Sequence, residues 1–217
     1  MNTSIETTVA PKNNAPQQSQ RDIALTPAAL DQIFRTARTR NAWTDRLVSD
    51  ALMRDVYDLA KMGPTSANSN PARFVWVRSA GGKAKLAALA MDSNKAKIMQ
   101  APVTVIVGYD LLFAEHLGHL APFLPVAYHA PMKLPQAAEP MAFRNSSLQG
   151  AYLIIAARAL GLDCGPMSGF DNQGVDEQFF AGTHTKSNFI CSLGYGSDEK
   201  LFPRQPRLDF DVANTLV

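Results

Sequence analysis

The sequence predicts an α+β domain in which a small central sheet is sandwiched by helices. Three observations lead there. Segments with helical and strand-like periodicity alternate irregularly along the chain. The strand-like segments are few, and two of them read as central. The length, 217 residues, suits one domain with a real core better than two small ones.

The elements follow in order. Residues 1–24, beginning "MNTSIETTVAPKNN", are polar, lack the apolar stretch of a signal peptide, and are expected to form a flexible tail ahead of a single domain, 25–217. Thr26-Pro27 starts a helix, with Leu30, Ile33, Phe34 and Ala37 at helical spacing. Arg35, Arg38 and Arg40 then cluster at its C-terminal end, where cations suit the helix dipole. Ser49 caps a second helix, whose stripe is Leu52, Val56, Leu59 and Ala60, and Gly63-Pro64 stops it. The stretch "GPTSANSNPARF", 63–74, comes next. Its side chains hydrogen-bond, but between Thr65 and Asn70 none titrates near neutral pH.

"RFVWVRS", 73–79, alternates like a strand. Residues 80–91 favour helix, and 93–100 read as a short helix begun by Ser93 or Asn94. "VTVIVGY", 103–109, reads as a strand buried on both faces. Five prolines between 122 and 140 predict a long irregular connection over 110–140, expected to cover a site or a subunit boundary. Residues 143–163 form the strongest helix. It is apolar nearly all round from Ala151 to Leu160, so a central, buried position is expected, with Gly161 as its stop. The loop "CGPMSGFD" (164–171), a helix near 172–180 and a strand over 187–196 follow. The tail carries Arg204 and Arg207 between prolines.

Composition narrows the function. A net charge of +2 is too balanced to argue for a nucleic-acid partner. No window approaches the apolar length needed to span a bilayer. Cys164 and Cys191 make neither a disulfide framework nor a zinc pattern. A cytoplasmic location is expected.

The chain carries neither the G-x-x-x-x-G-K-[ST] nor the G-x-G-x-x-G phosphate motif. His116 and His119, with Glu115 and His129, form a poor metal set beside so many prolines. Cys164 with His184 could make a cysteine hydrolase, but Cys164 follows a helix C-terminus, the wrong end to favour a thiolate. Uncharged hydrogen-bonding loops and scattered arginines remain. They suit a protein whose hard chemistry belongs to a bound cofactor, with a flat heterocycle gripped by its edges and a phosphate clamped by arginines.

The order of motifs resembles the FMN-dependent nitroreductase superfamily: an Arg-rich helix end, "GPTSANSNPARF", "SNKAKIMQAPVTVIV", "GLDCGPMSGFD" and "LGYG…FPRQPR", over residues 25–217. "ARTRNAW", "AFRNSS" and "GPMSGFD" are similar to the RutE-like branch, malonic semialdehyde reductases of pyrimidine degradation. The resemblance implies a nitroreductase-like three-layer sandwich and an intertwined homodimer with FMN at the interface.

It also implies roles. Arg38, Thr39 and Arg40 match phosphate and ribityl contacts, and Arg204 and Arg207 complete the phosphate site. Ser66, Asn68 and Asn70 match the loop lining the flavin, often from the second subunit. Asn94 and Lys97 match contacts to the pyrimidine edge and ribityl chain. Pro166, Met167, Ser168 and Gly169 match the segment beside flavin N5, where the family often carries an acidic residue in place of Ser168. N5 carries the hydride, so no side chain is expected as a catalytic group. The implied activity is ping-pong reduction, by NADPH or NADH, of a small aldehyde, malonic semialdehyde to 3-hydroxypropanoate. A nitro or quinone reductase of the same family, or a non-catalytic FMN-binding protein, is the alternative.

Overall fold

A computed structural model describes residues 23–217. The expectation of a flexible tail at 1–24 therefore lies, but for its last two residues, outside the described residues.

Strands β1 (Ala72–Val77), β2 (Val103–Asp110), β3 (Asp163–Met167) and β4 (Thr185–Gly194) form one sheet, in the order β1-β2-β4-β3, with every neighbouring pair antiparallel. The β-branched run of β2 explains its central place. Val103, Val105 and Val107 pack to one side with Val56, Ala60, Leu153 and Ala157, from helices α2 (Asp50–Ala60) and α7 (Pro135–Ala159). Ile106 packs to the other side with Leu86, Ile98 and Val175, from α3 (Ala80–Ala88), α4 (Asp92–Gln100) and α8 (Asn172–Phe179). The strand period of two thus separates two helical layers, and the predicted α+β sandwich is found. A buried Thr104–Ser192 hydroxyl pair, 2.8 Å apart, ties β2 to β4.

The caps hold. Thr26 Oγ1 accepts from the Ala29 N–H and Ser49 Oγ from the Leu52 N–H, each at 3.2 Å. Gly161 takes φ +81° just beyond α7, a conformation in which a Cβ would be strained.

Four expectations need correction. The first helix is brief: α1 (Pro27–Leu30) widens into a π-type turn over Asp31–Arg35, and Arg35 pairs with Asp31 at 2.6 Å instead of clustering with Arg38 and Arg40. The start of the expected loop at 164–171 belongs to β3. Pro166 and Gly165 argue against a central strand, but β3 is an edge, where a missing N–H costs little. The third correction concerns α7, which begins at Pro135 and runs through Pro140. Proline is favoured in a first turn, and the packing of Ala138 and Ala142 around Phe113 and Leu117 offsets the bond lost at Pro140. Lastly, the rest of 110–140 is not irregular. It contains α5 (Leu117–Leu120), α6 (His129–Met132) and short 3₁₀ turns, built on the same small core.

The burial expected for α7 holds on one face only. Leu153, Ala156 and Ala157 are buried, whereas Leu148 and Tyr152 are 45% and 38% exposed. Among the described residues, no helix is long and apolar enough to cross a membrane.

Candidate functional site

The polar loop lies between α2 and β1, and α7 sets its shape. Asn145 Oδ1 accepts from the Ser66 N–H at 2.8 Å, and Gln149 Oε1 accepts from the Ala72 N–H at 2.8 Å. Gln149 Nε2 also donates to Asn70 Oδ1 at 3.2 Å. Within the loop, Asn70 Nδ2 donates to both the carbonyl and the side-chain oxygen of Asn68, each at 2.8 Å. Asn68 Nδ2 donates to the Leu120 carbonyl at 2.7 Å. Ala67, Asn68 and Asn70 have φ of 52°, 49° and 42°, left-handed values that asparagine tolerates and alanine resists. The Asn68 and Asn70 amides therefore shape the loop, while Ser66 is exposed.

A second group gathers where α4 meets the end of β3. Asn94, buried, donates from Nδ2 to the Gly169 carbonyl at 3.0 Å, and Lys97 Nζ donates to Asn94 Oδ1 at 3.3 Å. The Met91 N–H reaches the same carbonyl at 2.9 Å. A Cβ at Gly169 would stand 2.6 Å from Met91 Sδ and 2.8 Å from Asn94 Nδ2, so any side chain there would have to displace Met91 and press on the Asn94 amide. Ser168 and Pro166 are exposed beside it, whereas Met167 is buried with Leu86 and Ile190.

The third group is basic. Arg38, Thr39, Asn41, Arg158, Arg204 and Arg207 line a cavity of about 390 Å³ whose wall, among the described residues, has no Asp or Glu. Arg204 is steered by the Ala37 carbonyl at 3.0 Å, and Arg38 donates to the Phe202 carbonyl. Arg158 donates from Nη1 to the Ile33 carbonyl at 3.2 Å, and among the described residues its buried Nε has no partner. Sequence reasoning missed Arg158 and Asn41. A lone arginine in the apolar run "YLIIAARALG" was the available signal for Arg158, since such a residue is retained only with a partner or a ligand.

Arg40 departs from Arg38. Its guanidinium runs across Gly196 to Asp163, 3.3 Å away, and to Asp198, and it does not line the basic cavity. Burial pulls its pKa down, but the bonds to Asp198 and Asp163 outweigh that and raise it. The backbone beneath is anchored by the Arg40 N–H on the Cys164 carbonyl at 3.0 Å.

The predicted site residues thus fall into three groups: Ser66, Asn68 and Asn70; Asn94, Lys97, Ser168 and Gly169; Arg38, Thr39, Arg204 and Arg207. The hydrolase reading fails, because Cys164 is wholly buried in the α2–α7 core while His184 is exposed. Among the described residues, no group of three His, Cys, Asp or Glu could hold a metal ion.

The donor set fits a flavin mononucleotide. Four guanidiniums lining one cavity, with no carboxylate beside them among the described residues, suit a phosphate. A lysine and an amide clustered on a glycine backbone suit the edge of a flat heterocycle.

A profile of the nitroreductase family matches residues 30–195. The chain belongs to the nitroreductase family. It is 61% identical over 193 residues to a Caulobacter sp. (strain K31) protein provisionally named NADH dehydrogenase/NAD(P)H nitroreductase, covering 89% of this chain and 98% of that one. Its fold matches an FMN-bound nitroreductase-type protein of Exiguobacterium sibiricum 255-15, with TM-score 0.77, 22% identity, and coverage of 86% of this chain and 96% of that one. It also matches a protein of Staphylococcus epidermidis ATCC 12228 described as an NAD(P)H:FMN oxidoreductase, with TM-score 0.74, 16% identity, and coverage of 87% and 95%. The nitroreductase fold of this family member agrees with the sandwich described above.

Proposed function

We propose that this family member is an FMN-dependent oxidoreductase that takes a hydride from NADPH or NADH and passes it to a small acceptor. The basic cavity carries the reading: four arginines surround a volume that suits a phosphate. When bound, FMN supplies the two-electron hydride chemistry that no side chain here provides.

The chain's part is to bind and orient. Arg38, Arg204 and Arg207, with Arg158 and the Thr39 hydroxyl, would hold the phosphate. Lys97, positioned by Asn94, would place positive charge at the pyrimidine edge of a bound flavin. The crossing at Gly169 fixes the backbone of 168–169, whose N–H groups are the donors available beside the reacting edge. Arg40 positions the segment that carries Arg38.

A homodimer is part of this reading. Leu47, Phe210 and Val212 are 81%, 59% and 71% exposed, and α7 leaves Phe143 and Tyr152 uncovered. A partner packed there would bring its polar loop to the first subunit's cofactor.

The acceptor is a small aldehyde, malonic semialdehyde reduced to 3-hydroxypropanoate, as motifs such as "AFRNSS" support. Aldehyde, NAD(P)H and one proton give alcohol and NAD(P)⁺. One site serving reductant and acceptor in turn requires parallel double-reciprocal lines. Intersecting lines would overturn that scheme. An anaerobic panel of aldehydes, nitroarenes and quinones separates the aldehyde reading from a nitro or quinone reductase. A yellow protein that excess NADPH fails to bleach without oxygen would be an FMN-binding protein instead.

A further inference from the structure

A second cavity, of about 580 Å³, opens beside the polar loop, and its chemistry differs from that of the phosphate cavity. Asn68 and Asn70 form one wall, Lys61 and Arg73 another, and His116 and His119 a third. Among the described residues no Asp or Glu lines it, although Asp58 and Asp110 lie behind as ion-pair partners of Lys61 and Arg73. Those two cations are therefore already engaged, the second at 2.5 Å.

The histidines are placed differently. They stand three residues apart at the turn into α5, where such spacing puts both rings on one side. Both are exposed. Asn68 Nδ2, on the Leu120 carbonyl at 2.7 Å, pins α5 to the polar loop, so the imidazoles are held over the same opening as the loop amides. Imidazole offers an N–H donor whether neutral or protonated, and the nearby carboxylates Asp58 and Asp110 are each paired with a cation.

We infer that His116 and His119 form a carboxylate-selecting wall for the acceptor. The enzyme then favours short acceptors that carry an anionic group one or two carbons from the reducible carbonyl. The inference rests on the reductase reading above and adds its specificity residues. These residues touch the non-reacting end of the acceptor, so their effect belongs in KM and not in the hydride step.

The test uses the FMN-loaded enzyme, NADPH, and two aldehydes of equal length, 3-oxopropanoate and propanal, with menadione as a neutral acceptor and malonate as an inhibitor. The expected result is that His116→Ala/His119→Ala lowers kcat/KM for 3-oxopropanoate by about tenfold through KM, while propanal and menadione change by less than about twofold. Malonate should compete with menadione in the native enzyme and lose about tenfold in potency in the double variant. His116→Lys/His119→Lys should restore the preference for the charged aldehyde. An equal fall with charged and neutral acceptors, or none with either, would overturn the proposal. If menadione is reduced and neither aldehyde is, the aldehyde reading fails, and malonate alone decides whether the wall selects anions. If malonate then inhibits native and double-variant enzyme alike, the wall is refuted too.

Discussion

Asn145 Oδ1 accepts the Ser66 N–H at 2.8 Å, which fixes the polar loop to the long helix 79 residues further along the chain. One turn on, Gln149 does the same for the buried Ala72 N–H. The two amides explain why the buried face of α7 is polar there and apolar beyond Leu153. Asn145→Ala should leave the loop free to move and weaken FMN binding by about tenfold, read by quenching of flavin fluorescence. Gln149→Leu should lower stability by about 1–3 kcal/mol in urea, because a buried donor loses its acceptor.

Arg38 and Arg40 are neighbours in sequence with different roles. Arg40→Gln should lower stability by about 1 kcal/mol, since Asp163 loses a partner, and should leave the preference for FMN over riboflavin within about twofold. Arg158→Leu should do the reverse in binding, weakening FMN by about tenfold and riboflavin hardly at all. Isothermal titration with both ligands distinguishes the two.

Much of this was legible in the sequence, and the misses share a cause. β2 was plain because a β-branched run has one stable home, at a sheet centre. β3 was hidden because Pro166 and Gly165 are poor strand residues except at an edge, and edge position is a tertiary fact. The α7 start was hidden because Pro140 breaks helices locally, while Ala138 and Ala142 pack only against a segment that must itself fold first. In the site, motif order pointed to Arg38, Asn94, Lys97 and Gly169. Arg158 was marked only by its place in an apolar run, and the cavity that it lines with Arg38, Arg204 and Arg207 is a tertiary fact.

The two thiols should be inert. Cys164 and Cys191 are wholly buried, and the Cys191 thiol is pushed well up, first by its hydrogen bond with Cys164 and then by burial. A thiol reagent should label neither until urea unfolds the chain, and Cys164→Ala should keep full reductase activity. A raised thiol value adds stability at low pH that is lost as pH rises through it.

Tyr109 sets an alkaline limit. Burial, then the nearby Glu139, pushes its phenol up to about 12. The folded value exceeds the unfolded value of about 10, so this contribution is complete below about pH 10 and disappears as pH climbs towards 12. Tyr109→Phe should flatten the loss of stability across that window, measured by urea unfolding at successive pH values.

In the proposed holoenzyme the arginine cavity grips the phosphate of a flavin whose ring meets Asn94, Lys97 and Gly169. Titrating the flavin-free protein with FMN and with riboflavin tests it most directly. FMN should bind on the order of a hundredfold tighter than riboflavin, and Arg38→Ala/Arg207→Ala should abolish the difference. Equal affinity for the two flavins, or binding of neither, would contradict it.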